Sequence, residues 1–216
     1  MSNQLIADLG AAAEGQWGLI TAAQALEAGA SRMQLSRLTG SGVLVRVAHG
    51  VYRFAGAPAL EHEEIFAAWL ALGGAEREPA STGVPALVAA GTTAARLHAM
   101  GNFWLDRLDF LVPSRRGTRL AQVRLRVRPL RREDVTIVDG LPVLTAELTL
   151  ADLVGEWTDL SLVADALRDG YDQGRISMGR LAGGLQPLAA ARGYQDGRAF
   201  ADVLLELAEV EPAHAR

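Results

Sequence analysis

The first sixty residues alternate short apolar stripes at helical spacing with short β-branched runs. Leu5, Ile6 and Leu9 fall on one side of a helix read from Ser2 to Glu14. Trp17-Gly18-Leu19-Ile20 leads into Thr21-Ala22-Ala23-Gln24, where Thr and Gln three apart form a capping box. In such a box the threonine oxygen takes an otherwise orphaned amide of the new helix. That helix reaches only Glu27 or Ala28, and Gly29 stands where a left-handed residue closes a helix. Ser31-Arg32-Met33-Gln34 at once repeats the box and opens a second short helix ending near Gly40. Two capped helices joined by a Gly-containing turn predict a helix-turn-helix. In the second helix Leu35, Leu38 and Thr39 share the arc that faces a core, while Arg32, Met33, Ser36, Arg37 and Gly40 fall opposite. Val43–Val47 and Val51–Phe54 then flank Ala48-His49-Gly50, the pattern of a β-hairpin. A hairpin directly after a helix-turn-helix predicts a winged helix over residues 1–56.

Ala55-Gly56-Ala57-Pro58 reads as a linker to a second domain over residues 60–216. His62–Leu72 is apolar at helical spacing, Gly73–Gly83 is a Gly/Pro/Glu-rich loop, and a small-residue helix runs from Thr92 to Met100, capped by Thr92 or Thr93. Leu108–Val112 reads as a strand stopped by Pro113. In Val123–Val127, Val and Leu alternate with Arg124 and Arg126, and Arg128 follows in step, which places three guanidinium groups on one strand face and the apolar residues on the other. Same-face neighbours on a strand lie about 7 Å apart, so these charges need counter-anions. Ile137-Val138, Asp139-Gly140 and Leu141–Leu144 predict another hairpin, and Thr145 caps a helix carrying Leu148, Leu150, Leu153 and Val154. Leu160–Tyr171 and Phe200–Glu209 read as amphipathic helices. The fold class expected is α+β, a winged helix-turn-helix domain followed by a mixed α+β domain.

Composition narrows the chemistry. Half of the 216 residues are hydrophobic and 21% are charged, the balance of a globular chain. There is no cysteine, which removes disulfides, thiolate metal sites and thiol nucleophiles. All 21 basic residues are arginine, which removes a lysine Schiff base and a phosphate loop ending in Gly-Lys. The N-terminal stretch has no basic leader before an apolar run, and no apolar run has the roughly 18–20 residues of a membrane span. A cytoplasmic protein with no membrane partner is expected.

The net charge of −4 is unevenly spread. Residues 114–133 hold eight arginines and one acid, whereas residues 134–216 hold six arginines and fourteen acids. A local basic patch attracts an anionic polymer even on an acidic protein, because charges beyond a Debye length are screened. The outward arc of the second capped helix suits a major groove, so Arg32, Gln34, Ser36 and Arg37 are the candidates for contact with bases or phosphates. Arg46, His49 and Arg53 are candidates for phosphate contacts from the hairpin. Arg115, Arg116, Arg119, Arg124, Arg126 and Arg128 form a possible second contact, with DNA backbone or an acidic partner, or else are ion-paired with acids elsewhere in the chain.

The N-terminal residues also resemble a known family. Ile20-Thr21-Ala22-Ala23-Gln24, Gly29, Leu35, Leu38 and the run Gly42-x-Leu44-x-Arg46-x-x-x-Gly50-Val51-Tyr52 are similar to the winged helix of AbiEi-family antitoxins. The resemblance covers residues 4–56. Further on, Gly140–Thr145 and Thr149–Leu153 resemble the C-terminal domain of actinobacterial AbiEi-like proteins, although Leu148 stands where those have arginine. The resemblance implies a transcriptional autorepressor that binds its own promoter, at inverted repeats, and acts as the antitoxin of a type IV pair with a nucleotidyltransferase-like toxin. Two alternatives stand beside it: a winged helix used only for protein assembly, and a metal-dependent enzyme in the second domain. For an enzyme the residues offer little. Histidines 49, 62, 98 and 214 are scattered, no His-Glu-x-x-His or Gly-x-Ser-x-Gly occurs, and residues 155–216 lack the Glu-x-x-Asp…Glu-x-Asp-Gly pattern of an endonuclease-like domain. No enzyme activity, metal or cofactor is expected.

Overall fold

The computed structural model describes residues 3–75 and 83–210. Most of the loop read over Gly73–Gly83, and His214, lie outside them. The chain forms two compact units, Met1–Glu78 and Pro79–Arg216, each an α+β assembly.

The first unit runs α1 (Asn3–Glu14), β1 (Leu19–Thr21), α2 (Ala22–Glu27), α3 (Arg32–Gly40), β2 (Leu44–Ala48), β3 (Val51–Phe54) and α4 (Glu63–Ala71). Leu5, Leu9, Leu35 and Leu38, which helical spacing assigned to a core, close around one together with Ile20, Ala25 and Leu44, and Ile6 is partly buried against it. β2 and β3 form the expected hairpin, and β1 adds antiparallel to β3, with Ile20 opposite Tyr52. Nothing in its three residues announces that strand; it exists because β3 supplies a ladder. The domain boundary expected between residues 56 and 60 lies instead beyond α4. Trp17, held at φ 57°, presses its ring edge-on to Phe66 at 4.5 Å between centroids and to Trp69 at 6.1 Å. Those two aromatic contacts secure α4 to the first unit.

The second unit holds β4 (Val88–Ala89), α5 (Gly91–Leu97), β5 (Leu108–Val112), β6 (Val123–Val127), β7 (Val135–Val138) and β8 (Leu141–Leu144), followed by α6 (Ala146–Gly155), α7 (Leu160–Asp172), α8 (Met178–Ala189) and α9 (Gly197–Leu207). Its sheet is mixed, in the order β6-β5-β4-β8-β7, with β5 parallel to β6 and β4 parallel to β8. The last four helices share a core of Leu150, Val154, Val163, Leu167, Leu181, Leu185, Phe200 and Leu204.

Two local readings are corrected here. The start of α5 is not capped by Thr92 or Thr93. Its Gly91 N–H is taken at 2.9 Å by the carboxylate of Asp152 on α6, and the Thr93 hydroxyl accepts the Asp109 N–H instead. Helix α8 has no counterpart in the sequence reading, since Gly179, Gly183, Gly184 and Pro187 all disfavour a helix interior. Packing overrides propensity there. A side chain at Gly184 would press on Ala151 and Leu148 at 3.2 Å, and one at Gly197 would overlap the Ala182 carbonyl of α8. Small residues thus let α6, α8 and α9 approach closely.

Candidate nucleic-acid interface

Local chemistry fixes the helix-turn-helix. Both capping boxes form: Thr21 and Gln24 exchange hydrogen bonds across the first turn of α2, and Ser31 and Gln34 do so on α3. Gly29 closes the turn at φ 89°, where a residue with a Cβ would be strained. The Ala22 N–H donates to the Gly50 carbonyl at 2.7 Å, tying the start of α2 to the hairpin turn. Leu35 and Leu38 are buried, so the register of α3 is set from beneath. Arg32, Met33, Ser36, Arg37 and Gly40 are left exposed, as their helical phase requires. That face holds two guanidinium groups and no acid, with two small residues that permit close approach.

Gln34 has a narrower role than expected. Its side-chain carbonyl accepts the Ser31 N–H at 2.7 Å, which commits that oxygen to the cap. Only its amide N–H groups remain for a phosphate. Met33 was placed on the outward arc but left out of the candidate contacts. It is 63% exposed.

On the hairpin, Val45, Arg46 and His49 are exposed. The ladder is bulged between Arg46 and Ala48, which re-aims the residues at the turn. Arg46 Nη2 lies 3.2 Å from His49 Nδ1. A guanidinium only donates, so this imidazole nitrogen accepts and carries no proton. Arg46 and His49 thus stand together at the hairpin tip. Arg53 does not join them. Its Nε pairs with Glu63 of α4 at 2.6 Å, with the side chains 15% and 23% exposed, and its Nη1 donates to the Ala57 carbonyl at 2.6 Å. The expected phosphate contact by Arg53 is therefore withdrawn: its charge is neutralised inside the first unit.

The arginine-rich strand of the second unit is likewise committed. Arg124 binds both oxygens of Asp109, at 2.5 and 2.8 Å, and Glu156 at 2.6 Å. Arg126 pairs with Asp152 and with Glu156 (3.1 Å), and Arg128 reaches Asp152 at 3.1 Å. The Asp152 side chain is 4% exposed. The Asp109 hydrogen bond holds Arg124 firmly charged; burial pulls Arg126 the other way, but the Asp152, Glu156 and Asp109 carboxylates together outweigh it. The guanidinium face is thus ion-paired and half-buried, while on the other face Val123 is buried and Val127 at the strand's end is 55% exposed. This corrects the reading of Arg124, Arg126 and Arg128 as a second DNA or partner contact and selects the alternative of internal ion pairs. Arg115 and Arg119 are exposed in the loop after β5 and Arg116 is half-buried there, while Arg131 pairs with Glu133 at 3.0 Å.

His98 is a buried structural residue. Its Nε2 is 2.7 Å from the Leu144 carbonyl, so that nitrogen donates, and burial lowers the pKa of the ring. Among the described residues no group of three His, Asp or Glu is placed to hold a metal ion, and no helix is long and apolar enough to cross a membrane.

Residues 9–55 match the family model of the AbiEi antitoxin, described as a transcriptional regulator. The match spans α2, α3 and the hairpin, the segment in which the sequence resembles that family. No curated protein matches the chain. Among solved structures, the crystal structure of RV2827C protein from Mycobacterium tuberculosis is similar, with a TM-score of 0.54 and 18% identity, covering 100% of this chain and 87% of that one. At that identity the likeness is one of fold.

Proposed function

We propose that this protein is a DNA-binding transcriptional repressor whose winged helix docks α3 in the major groove, and that it is the antitoxin of a type IV pair acting in the cytoplasm. The observation that carries the reading is the exposed, acid-free face of α3, set by two intact capping boxes within the segment that matches a family of antitoxin transcriptional regulators. Arg32, Ser36 and Arg37 approach base edges or phosphates. Arg46 and His49 brace the hairpin on backbone, and Gln34 offers one N–H to a phosphate. The family match supports a toxin partner, and the resemblance implies a nucleotidyltransferase-like one.

The test is retardation of the duplex upstream of the protein's own gene, beside an unrelated duplex of equal length and base composition. The reading expects selective retention that weakens with salt, by about 0.9 in log–log slope per phosphate contact. Equal retention of both duplexes, or none at low salt, would overturn it.

A further inference from the structure

Met33 is the large apolar side chain of α3 left in water, 63% exposed while Leu35 and Leu38 of the same helix are buried. Its exposure contributes nothing to the core of the unit. Along the outward stripe at positions 33, 36, 37 and 40, Ser36 and Gly40 are small, so Met33 and Arg37 are the long side chains that project from it. They stand one turn apart, about 6 Å along the helix axis. Met33 is the second residue after the Ser31 cap, and a recognition helix presents its N-terminal residues to base edges. In the major groove the apolar group on offer is the C5-methyl of thymine, and guanine presents the paired acceptors that suit arginine. The unbranched thioether of methionine adapts its shape to such a contact.

We infer that Met33 is a specificity-determining residue that reads the C5-methyl of a thymine within about two base pairs of the base that Arg37 approaches. This rests on the DNA-binding reading above and goes beyond it by assigning part of the recognised sequence. The acid-free, small-residue surroundings of Met33 admit a base edge, and a methyl group covers apolar surface that is otherwise wet.

The experiment uses the full chain. A preferred site is selected from a random double-stranded library, and each thymine in it is then replaced singly by deoxyuridine, which differs by that methyl alone. Affinities are measured by fluorescence anisotropy for wild type, Met33→Ala and the length-conserving Met33→Gln. At one thymine per bound copy, loss of the methyl weakens wild type about fourfold, the effect of one buried methyl, and leaves both variants unmoved. Thermal melting is unchanged in the variants. If no deoxyuridine position weakens wild type, or if the variants respond as wild type does, the inference is overturned while DNA binding stands. If the library yields no preferred site, the DNA-binding reading fails and this inference falls with it.

Discussion

Arg37 and Arg53 carry the same charge in the same unit, yet the structure gives them opposite assignments. Arg37 is exposed on α3, and truncation to alanine costs about 1–3 kcal/mol of binding at one base pair, with the melting temperature unchanged. Arg53 pairs with Glu63, so Arg53→Ala lowers stability by about 1–3 kcal/mol and leaves the affinity of the folded fraction intact. Thermal melts beside anisotropy titrations separate the two. The difference was not legible in the chain, because the partner of Arg53 lies on a helix beyond a linker. The caps were legible, since each Ser or Thr meets its Gln three residues away.

His98 supplies a pH dependence. Its folded pKa lies below the ordinary value of 6.5. Below pH 6.5 the unfolded chain takes up a proton that the native state refuses, so its contribution is present above that pH and is lost as pH falls towards the folded value. In His98→Gln, whose amide still donates to the Leu144 carbonyl, denaturant unfolding shows a flatter loss of stability below pH 6.5. An unchanged slope would assign the acid sensitivity to other groups.

Among the elements, α3 depends on its first turn. Ser31→Ala removes the side-chain acceptor for the Gln34 N–H and destabilises the first unit by about 1 kcal/mol, whereas Ser31→Asp keeps an acceptor and retains stability. Urea unfolding followed by circular dichroism measures both. Elements built from local signals were readable: α1, α2, α3 and the hairpin carry their own periodicity, caps and turn. Elements that exist through their neighbours were not. β1 and the two-residue β4 are strands because partners complete their ladders, and α8 is a helix despite its glycines because α6 and α9 close on it. Period two in β6 placed the three arginines on one face correctly, but the alternation is silent on which face is covered. The acids that pair with it come from β5, from α6 and from Glu156 just after α6.

Across the whole molecule, charge patterning misleads where it is densest. The stretch with the largest excess of arginine binds β5, β6 and α6 of the second unit into one network, while the proposed DNA face of the first unit holds few charges and no acid. Asp152 is the centre of that network. Asp152→Asn leaves Arg126 and Arg128 short of their counter-charge and costs about 3 kcal/mol, the low end for a broken buried pair because both guanidinium groups keep some contact with water. The same variant leaves the salt slope of DNA binding unchanged, which anisotropy at graded salt will show. A slope steepened by about 0.9 per released arginine would return these residues to the DNA interface.

The outward face of α3 is proposed to lie on a duplex. The most direct test is the affinity of the full chain for its upstream duplex across a range of salt, beside an Arg32→Ala, Arg37→Ala double variant of unchanged circular dichroism and melting temperature. Wild type is expected to bind selectively and the variant to lose at least tenfold, as one bidentate contact of about 1–3 kcal/mol and one phosphate contact require. Equal affinities for the two proteins, at every salt concentration, would contradict it.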